Sequence, residues 1–405
     1  MRDVYGSVGL WRPPGLPISM MLAFMAFMLP HLIFAVSWGN FPLLRASQIA
    51  AVGLLIFASV LNRRDGWPPS WPAIVLVAEL VISLIYTVLA DAFERDTFDI
   101  DLVLKGTVII TLIALLDRAR GYGFRAFALS TVPVSLLIVA ATAAHFVLNP
   151  SIMFGRHLFF GLHPNLGGEV LFGCIITVAF APSRLLRLGV GAVILVLLTL
   201  LQSRAAFGGA VLVYAGTEAL YLVRGKSWHV QGRVVGFGLL VVAVIGLTVI
   251  LVNPRTPVSA ADWVSDRILL LDNPYRGLNT GFAGRTETWS VALESFQESP
   301  LMGEGMDRSG TTATGTQVHN GYLALLAEYG LVGVGFFVVL AQGLIRTLRR
   351  GSISFVMLVA CLFVFLFNAR AVNLNVFPFL MWLLCLPWRE DEPDEAAGTT
   401  TALRP

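Results

Sequence analysis

The sequence predicts an all-α, polytopic membrane protein with about twelve transmembrane helices and one long outward-facing polar loop. Hydrophobic residues make up 56% of the 405 residues and charged residues only 13%, whereas soluble domains carry about 25% charged residues. Apolar runs long enough to cross a bilayer follow one another along most of the chain. The main interruption is a polar stretch that extends from Gly284 to about Phe337.

A transmembrane helix needs roughly 20 mostly apolar residues. Such runs predict spans near residues 16–36, 43–61, 72–90, 100–116, 126–148, 166–181, 185–201, 205–223, 234–252, 320–345, 352–368 and 371–387. No signal-peptide cleavage pattern precedes the first run, so we expect that run to remain as a membrane anchor. Cys174, Cys361 and Cys385 lie in apolar runs without metal-ligand spacing, which predicts buried thiols and neither a disulfide nor a zinc site.

The basic residues predict the orientation of these spans. If the N-terminus lies inside, every short inner loop carries at least two basic residues, as the positive-inside rule requires. Both termini are then cytoplasmic. The chain divides into about nine N-terminal helices over residues 1–252, an outer loop over 253–319, about three helices over 320–387 and a disordered cytoplasmic tail over 388–405.

The outer loop is predicted to contain an amphipathic helix. Its apolar stripe recurs at positions i, i+3, i+4 and i+7 and consists of Trp289, Ala292, Leu293 and Phe296. Thr286 is the predicted N-cap, and Ser299-Pro300 ends the helix. A glycine-rich segment, which we expect to be mobile, follows the helix. We expect the helix to lie on the outer ends of the spans, as a lid or at the lipid interface.

Three residues with useful chemistry each precede a helix whose N-terminus is predicted at the outer face. They are Arg204, Arg285 and His319. Helix N-termini and guanidinium groups both favour anions, so these ends together predict a diphosphate site. Histidine is also the usual general base near neutral pH. The alternatives are a salt bridge for Arg285, an arginine reaching to the interface for Arg204, and an interfacial hydrogen bond for His319.

Other polar residues carry weaker signals. Arg156 and His163, in the loop before the sixth predicted span, could reach a polar head group. Glu328 is predicted to be an intramembrane carboxylate that faces another helix and has a structural role. Asp99-Ile100-Asp101 is similar to the metal-holding DxD pattern of some glycosyltransferases, but here the two aspartates open a predicted span and a structural role is favoured.

The ordered set of motifs around the polar stretch resembles the O-antigen ligase and polymerase superfamily of bacterial membrane glycosyltransferases. The matching residues are Gly284-Arg285 with Trp289, Pro300 with Gly303 and Gly305, His319-Asn320 with Tyr322-Leu323, and Glu328 with Gly330. Ser203-Arg204 is similar to the SRGA segment of that family, although Ala205 replaces its glycine. The resemblance rests on the set and its order, since each motif alone is common.

The resemblance implies a GT-C-like helical fold in the bacterial inner membrane, with the active site at the periplasmic face. The implied reaction moves glycan from an undecaprenyl-diphosphate donor to a glycan or lipid acceptor, with inversion and without a metal or other cofactor. Membrane lipids are the other expected partners, and nucleic acid is not expected. The implied roles are diphosphate binding for Arg204 and Arg285, general base for His319, and further substrate contacts for Arg156, His163, Asn320 and Tyr322.

The resemblance leaves the acceptor open. A ligase transfers glycan to a different acceptor, such as a lipid A–core sugar or a protein hydroxyl, whereas a polymerase uses a second lipid-linked repeat unit. A multi-span transporter or flippase of lipid-linked glycans is the alternative from another class. Transporters commonly show repeated halves with a site near the bilayer midplane, but here the polar residues cluster toward one face and the halves show no repeat. The sequence therefore favours the enzyme.

Overall fold

The computed structural model describes residues 16–37, 40–62, 68–94, 99–148, 152–153, 156–160, 164–222, 285–308, 318–350, 353–367 and 376–389. Within these ranges the protein is all-α apart from one minute hairpin, as predicted. The helices are α1 Ile18–Val36, α2 Phe41–Leu61, α3 Trp71–Glu94, α4 Ile100–Arg118, α5 Phe124–Leu148, α6 Pro164–Val178, α7 Arg184–Leu201, α8 Arg204–Leu222, α9 Arg285–Glu298, α10 Gly321–Tyr329, α11 Val334–Arg350, α12 Ile353–Phe365 and α13 Val376–Leu384.

Four described helices are long and apolar enough to cross a membrane, namely Phe41–Leu61, Trp71–Phe93, Phe124–Leu148 and Arg184–Leu201. Three shorter apolar helices are Ile18–Phe34, Pro164–Val178 and Ile353–Phe365. The helices α1 to α8 coincide with the first eight predicted spans to within a few residues. The total of twelve spans stays a prediction. The ninth predicted span, much of the outer loop, His163 and residues 390–405 lie outside the described ranges.

A hairpin of two-residue strands, which the sequence did not predict, follows α5. The strands β1 Ile152–Met153 and β2 Arg156–His157 pair antiparallel, with Ile152 opposite His157 and Met153 opposite Arg156. The hairpin lies between the end of α5 and the beginning of α6. Arg156 therefore belongs to a strand at the end of the bundle where α6 begins, although only its backbone is described.

The centre of the bundle is α6. Twelve of its fifteen residues are buried, and it contacts α5, α7, α8 and α13. A helix that is apolar on every side belongs inside a bundle, and α6 carries no side chain with a formal charge after Glu169. Cys174 on this helix is a buried free thiol, as are Cys361 and Cys385. The three cysteines are thus small buried side chains, as predicted.

Backbone and arginine contacts tie together the end of the bundle where α6 finishes. Phe124, at the start of α5, packs on Phe180 and Trp388 with ring centroids 5.5 Å and 5.6 Å apart. The Arg389 amide donates to the Arg120 carbonyl at 3.0 Å. We call this the basic end, because its arginines are Arg120, Arg187, Arg346 and Arg389. Trp388 is buried (7% exposed), so the predicted disordered tail does not begin at residue 388.

The predicted span over residues 320–345 is wrong as a single helix. The structure has two helices here, α10 and α11, separated by a turn at residues 330–333. Gly330 has φ +57° and ψ −146°, a conformation that side chains with a Cβ rarely adopt. A continuous apolar run cannot reveal such a break, because the run looks the same whether or not the helix is interrupted.

The break is held by residues 299–308, which we call the glycine loop. The Glu304 and Gly305 amides donate to the carbonyls of Ala327 and Glu328 at 2.8 Å and 3.0 Å. The chain after the break donates back, from Leu331 to Pro300 at 2.8 Å and from Val332 to Leu301 at 3.1 Å. The expected mobile loop is therefore wrong for residues 299–308. The sequence motifs at Pro300–Gly305 and Glu328–Gly330 form one hydrogen-bonded unit.

Gly330→Ala is expected to destabilise this unit. A Cβ atom at Gly330 would lie 2.6 Å from the Gly303 nitrogen and 2.7 Å from the Leu301 carbonyl oxygen, and backbone atoms cannot move aside as a side chain can. The expected loss is about 1–3 kcal/mol of unfolding free energy, measured as a lower Tm of the purified protein in detergent. Gly53→Ala is the matched control, because nothing lies within 4 Å of its added Cβ. Equal Tm values for the two variants would contradict this account of the break.

Candidate active site

Two antiparallel helices fix the position of Arg204. Gly209 of α8 lies against Val364 of α12, and Gly216 lies against Val356. The beginning of α8 therefore lies where α12 finishes, at the opposite end of the bundle from the basic end. Arg204 is the first residue of α8 and is half-buried. The small residues that follow it allow close helix approach.

The beginning of α10 lies at the same end. Gly321 packs on the ring of Phe365, near the end of α12. The Tyr322 hydroxyl donates to the Leu362 carbonyl at 3.1 Å, and the Tyr322 ring meets Phe365 edge to face at 5.0 Å. Since His319 comes two residues before α10, it lies at this end as well.

The beginning of α9 adjoins the segment that leads into α10. The Thr288 hydroxyl donates to the Val318 carbonyl at 3.3 Å, and both residues are buried. Arg285, the first residue of α9, precedes Thr288 by three positions and only its backbone is described. The helix therefore begins one residue before the predicted N-cap Thr286, and it ends just before Ser299-Pro300 as predicted. The structure thus brings the helix beginnings at Arg285 and His319 together.

The beginning of α6 completes this end of the bundle, which we call the site end. A Cβ atom at Gly168 would lie 2.6 Å from the Ser203 Cβ and 3.3 Å from the Ala206 Cβ. The site end is therefore built from the N-terminal ends of α6, α8, α9 and α10. Each helix beginning carries a partial positive charge, so the four together favour an anion.

His319 has a strained backbone. Its φ is +46°, and the other residues with positive φ that are not glycine, within the described ranges, are Phe160, Gln202 and Asp307. Gln202 closely precedes α8, as His319 precedes α10. Such left-handed conformations cost of order 1–3 kcal/mol each and persist where the surrounding structure imposes them. This strain therefore marks the segments that lead into α8 and α10.

Asn320 and Tyr322 both have structural partners. The Asn320 side chain accepts hydrogen bonds from the amides of Tyr322 at 3.1 Å and Leu323 at 3.3 Å. It thereby caps α10. The Tyr322 hydroxyl is bonded to α12. Their contact with substrate stays a prediction, as do the roles of Arg156 and His163.

The amphipathic stripe of α9 is partly wrong. Ala292 is buried (1% exposed), but Leu293 is 45% exposed. The face that packs against α10 instead carries Thr288, Ala292 and Ser295, which are small or polar and all buried. Trp289 packs at the edge of the cluster of Ala292, Val318 and Ala327. Helix α9 therefore meets the bundle through small side chains, which allows its backbone to approach α10.

A row of polar residues on α3 was missed by the sequence reasoning. Its members recur every four residues, share one helix face and are all buried; they are Glu79, Ser83, Thr87 and Asp91. The row faces the glycine loop and the start of α11. Glu79 accepts from the Phe336 amide at 3.1 Å, and the Thr87 hydroxyl accepts from the Met306 amide at 2.8 Å. We call these four residues the polar row.

Two ion pairs complete this contact. Asp91 pairs with Arg308, and Lys105 of α4 pairs with Asp307 at 2.7 Å. Burial lowers the pKa of the Arg308 guanidinium below its ordinary value, but an arginine starts so far above neutral pH that the charge remains. The spacing of the polar row was the signal that could have predicted this seam, since charges within apolar spans face protein partners.

The Asp99 and Asp101 pattern has a structural role. The Asp99 side chain caps α4 through the amides of Asp101 and Leu102, and Asp101 pairs with Arg45. In the described part of the chain, no group of three or more His, Cys, Asp or Glu residues is arranged to hold a metal ion. Asp99 therefore serves as a helix cap, as the structural interpretation predicted. Glu328, the other acidic residue for which a structural role was predicted, is buried (1% exposed) at the end of α10.

Residues 170–338 match the family model described as O-antigen ligase. This match supports the predicted resemblance to the O-antigen ligase and polymerase superfamily. The matched residues include α8, α9, α10 and most of the site end. The superfamily implies membrane glycosyl transfer of the ligase or polymerase type, with a lipid-linked glycan and an acceptor as substrates in general. No curated protein and no solved structure matches the chain.

Gly168→Ala is expected to disturb the site end. The added methyl would meet Ser203 at its Cβ, so rotation of the Ser203 side chain cannot relieve the contact. The beginning of α8, with Arg204, would have to shift, and shifts of about 1 Å can lower activity by about 100-fold. Glycan transfer by the purified variant is the measurement. Gly189→Ala on α7, where nothing lies within 4 Å, is the control, and equal activity in the two would contradict the prediction.

Proposed function

We propose that the protein transfers glycan from an undecaprenyl-diphosphate donor to an acceptor hydroxyl, in the assembly of a surface polysaccharide. The observation that carries this proposal is the meeting of the helix beginnings that hold Arg204, Arg285 and His319. Contacts through Thr288, Tyr322 and the end of α12 join these beginnings. The family match at residues 170–338 gives the reaction type in general terms.

The diphosphate of the donor is proposed to bind at the site end. The partial positive charges of the helix beginnings suit its oxygens. Arg204 and Arg285 would add planar guanidinium groups, which match phosphate oxygens in pairs. Each charge-assisted hydrogen bond is worth about 1.5–3 kcal/mol. These bonds would strengthen as the diphosphate becomes the leaving group, so they would lower the barrier as well as bind the donor.

His319 is proposed to be the general base. The acceptor oxygen attacks the anomeric carbon while its proton passes to the imidazole of His319. The bond between the anomeric carbon and the diphosphate oxygen breaks, and undecaprenyl diphosphate leaves with that electron pair. A single displacement of this kind inverts the anomeric carbon. A positioned base contributes roughly 10²–10⁴-fold. The mechanism as proposed needs no metal, so chelation with EDTA should leave the rate unchanged.

The site end is proposed to face the periplasm of the inner membrane. Arg120, Arg187, Arg346 and Arg389 cluster at the basic end, on the far side of the bundle. The positive-inside rule assigns such clusters to the cytoplasm. Both termini would then be cytoplasmic, and the periplasmic face would hold the active site.

The acceptor decides between polymerase and ligase. Purified protein would be incubated with undecaprenyl-diphosphate glycan, alone and with other acceptors, and the products sized. A ladder of repeat units identifies a polymerase. A single transfer to a different acceptor identifies a ligase. Movement of intact donor across vesicles without new glycosidic bonds would identify the flippase and contradict the proposal.

His319→Gln is expected to lower glycan transfer by roughly 10²-fold or more, because the amide cannot accept the acceptor proton. The measurement is the initial rate of glycosidic bond formation by protein purified from membranes. The same substitution at His31, which lies on α1, is the matched control and is expected to keep its activity. Near-normal transfer by His319→Gln, at a normal membrane level, would overturn the assignment of the base.

A further inference from the structure

The strained residue His319 is held from both sides. Before it, the Val318 carbonyl accepts a hydrogen bond from the Thr288 hydroxyl at 3.3 Å. After it, the Asn320 side chain caps α10 through the Tyr322 and Leu323 amides. The Val318 carbonyl belongs to the planar peptide unit that precedes the Cα atom of His319, and φ of His319 is the rotation about the N–Cα bond that leaves this unit. A hydrogen bond that fixes this carbonyl therefore fixes the plane from which the His319 side chain projects.

The contact that holds Val318 is shielded from water. Thr288 is 3% exposed and Val318 is fully buried. Ala292, Val318 and Ala327 form an apolar cluster, with Trp289 and Leu323 packed on it. Inside such a cluster a hydrogen bond is stronger than at a surface, and a missing donor is not readily replaced by water. The carbonyl would thus lose its anchor if the hydroxyl were removed.

Thr288 also lies one helical turn after Arg285. Residues three apart on a helix are neighbours on one face, and Arg285 is the first residue of α9. One turn of α9 therefore joins the proposed donor site to the segment that carries the proposed base. A displacement of the backbone at either end of this turn would therefore shift the backbone at the other end.

We propose that Thr288 is a positioning residue, whose hydroxyl sets the orientation of His319 by anchoring the Val318 carbonyl. This inference rests on the proposed function, in which His319 takes the acceptor proton. Thr288 itself does not touch the reacting atoms. Its role is to hold the base in line with a donor bound at the beginning of the same helix.

The test compares Thr288→Val with Thr288→Ser. Valine keeps the shape of threonine but cannot donate, so kcat is expected to fall at least about tenfold, while KM for the lipid-linked donor changes by less than about twofold. Serine keeps the donor and is expected to restore most of kcat. Ser290→Ala, on the exposed side of the same helix, is the control for loss of a hydroxyl.

Two further measurements distinguish a positioning role for Thr288 from a purely structural role. Ala292→Gly loosens the same packing without touching the hydroxyl, so it should lower Tm and leave kcat nearly unchanged. The fall of kcat at low pH, caused by protonation of the base, should be shallower in Thr288→Val than in the unchanged protein. If Thr288→Val fails to reach the membrane, Thr288→Ala serves as the second variant.

The outcomes distinguish the inference from the proposed function. If Thr288→Val and Thr288→Ala retain full kcat while His319→Gln is inactive, the positioning role is wrong and the base assignment stands. If Ala292→Gly lowers kcat as much as Thr288→Val, packing explains the effect and the positioning role is also wrong. Activity in His319→Gln would instead overturn the proposed function itself.

Discussion

The hydrogen bonds from Glu304 and Gly305 to the last carbonyls of α10 are the contact on which the rest of the structure depends. A helix that stops within an apolar bundle leaves carbonyls without partners, and in a bilayer each unsatisfied group costs several kcal/mol. The glycine loop, which precedes α10 in the chain, supplies those partners. It can do so because Gly303 and Gly330 place backbone against backbone. Because of the break, α10 need not be collinear with α11, and the beginning of α10 can contact α9 and α12.

The site end combines rigid supports with strained connections. Helices α6, α8, α9 and α10 begin there, and contacts at Ser203, Thr288 and Tyr322 hold them. The strain lies in single residues just before two of these helices, at Gln202 and His319. This arrangement agrees with a site that is organised before substrate arrives. Electrostatic stabilisation of a leaving diphosphate is most effective when the charges need not move during the reaction.

Much of this fold could be predicted from local sequence, and the site only in part. The caps at Asp99 and Asn320, and the first eight spans, follow from residue chemistry and apolar run length. The break at Gly330 could not be predicted, because its partners in the glycine loop are distant along the chain and the run itself is uniformly apolar. The exposure of Leu293 was also missed, since periodicity identifies a stripe but not the surface that covers it. The polar row on α3 was visible in its spacing and was overlooked. The meeting of Arg204, Arg285 and His319 at one end was foreseen from topology, whereas the contacts through Thr288 and Tyr322 needed tertiary structure.

The polar row also bears on how the protein is made. Asp91 and its partner Arg308 are 217 residues apart, and Glu79 is 257 residues from Phe336. At a synthesis rate of about 5–20 residues per second, α3 exists for some tens of seconds at the lower rate before its partners emerge from the ribosome. A carboxylate at the centre of an inserting helix costs about 2.5–3.5 kcal/mol. The long apolar stretches of α3 must therefore offset this cost until the glycine loop and α11 have been made.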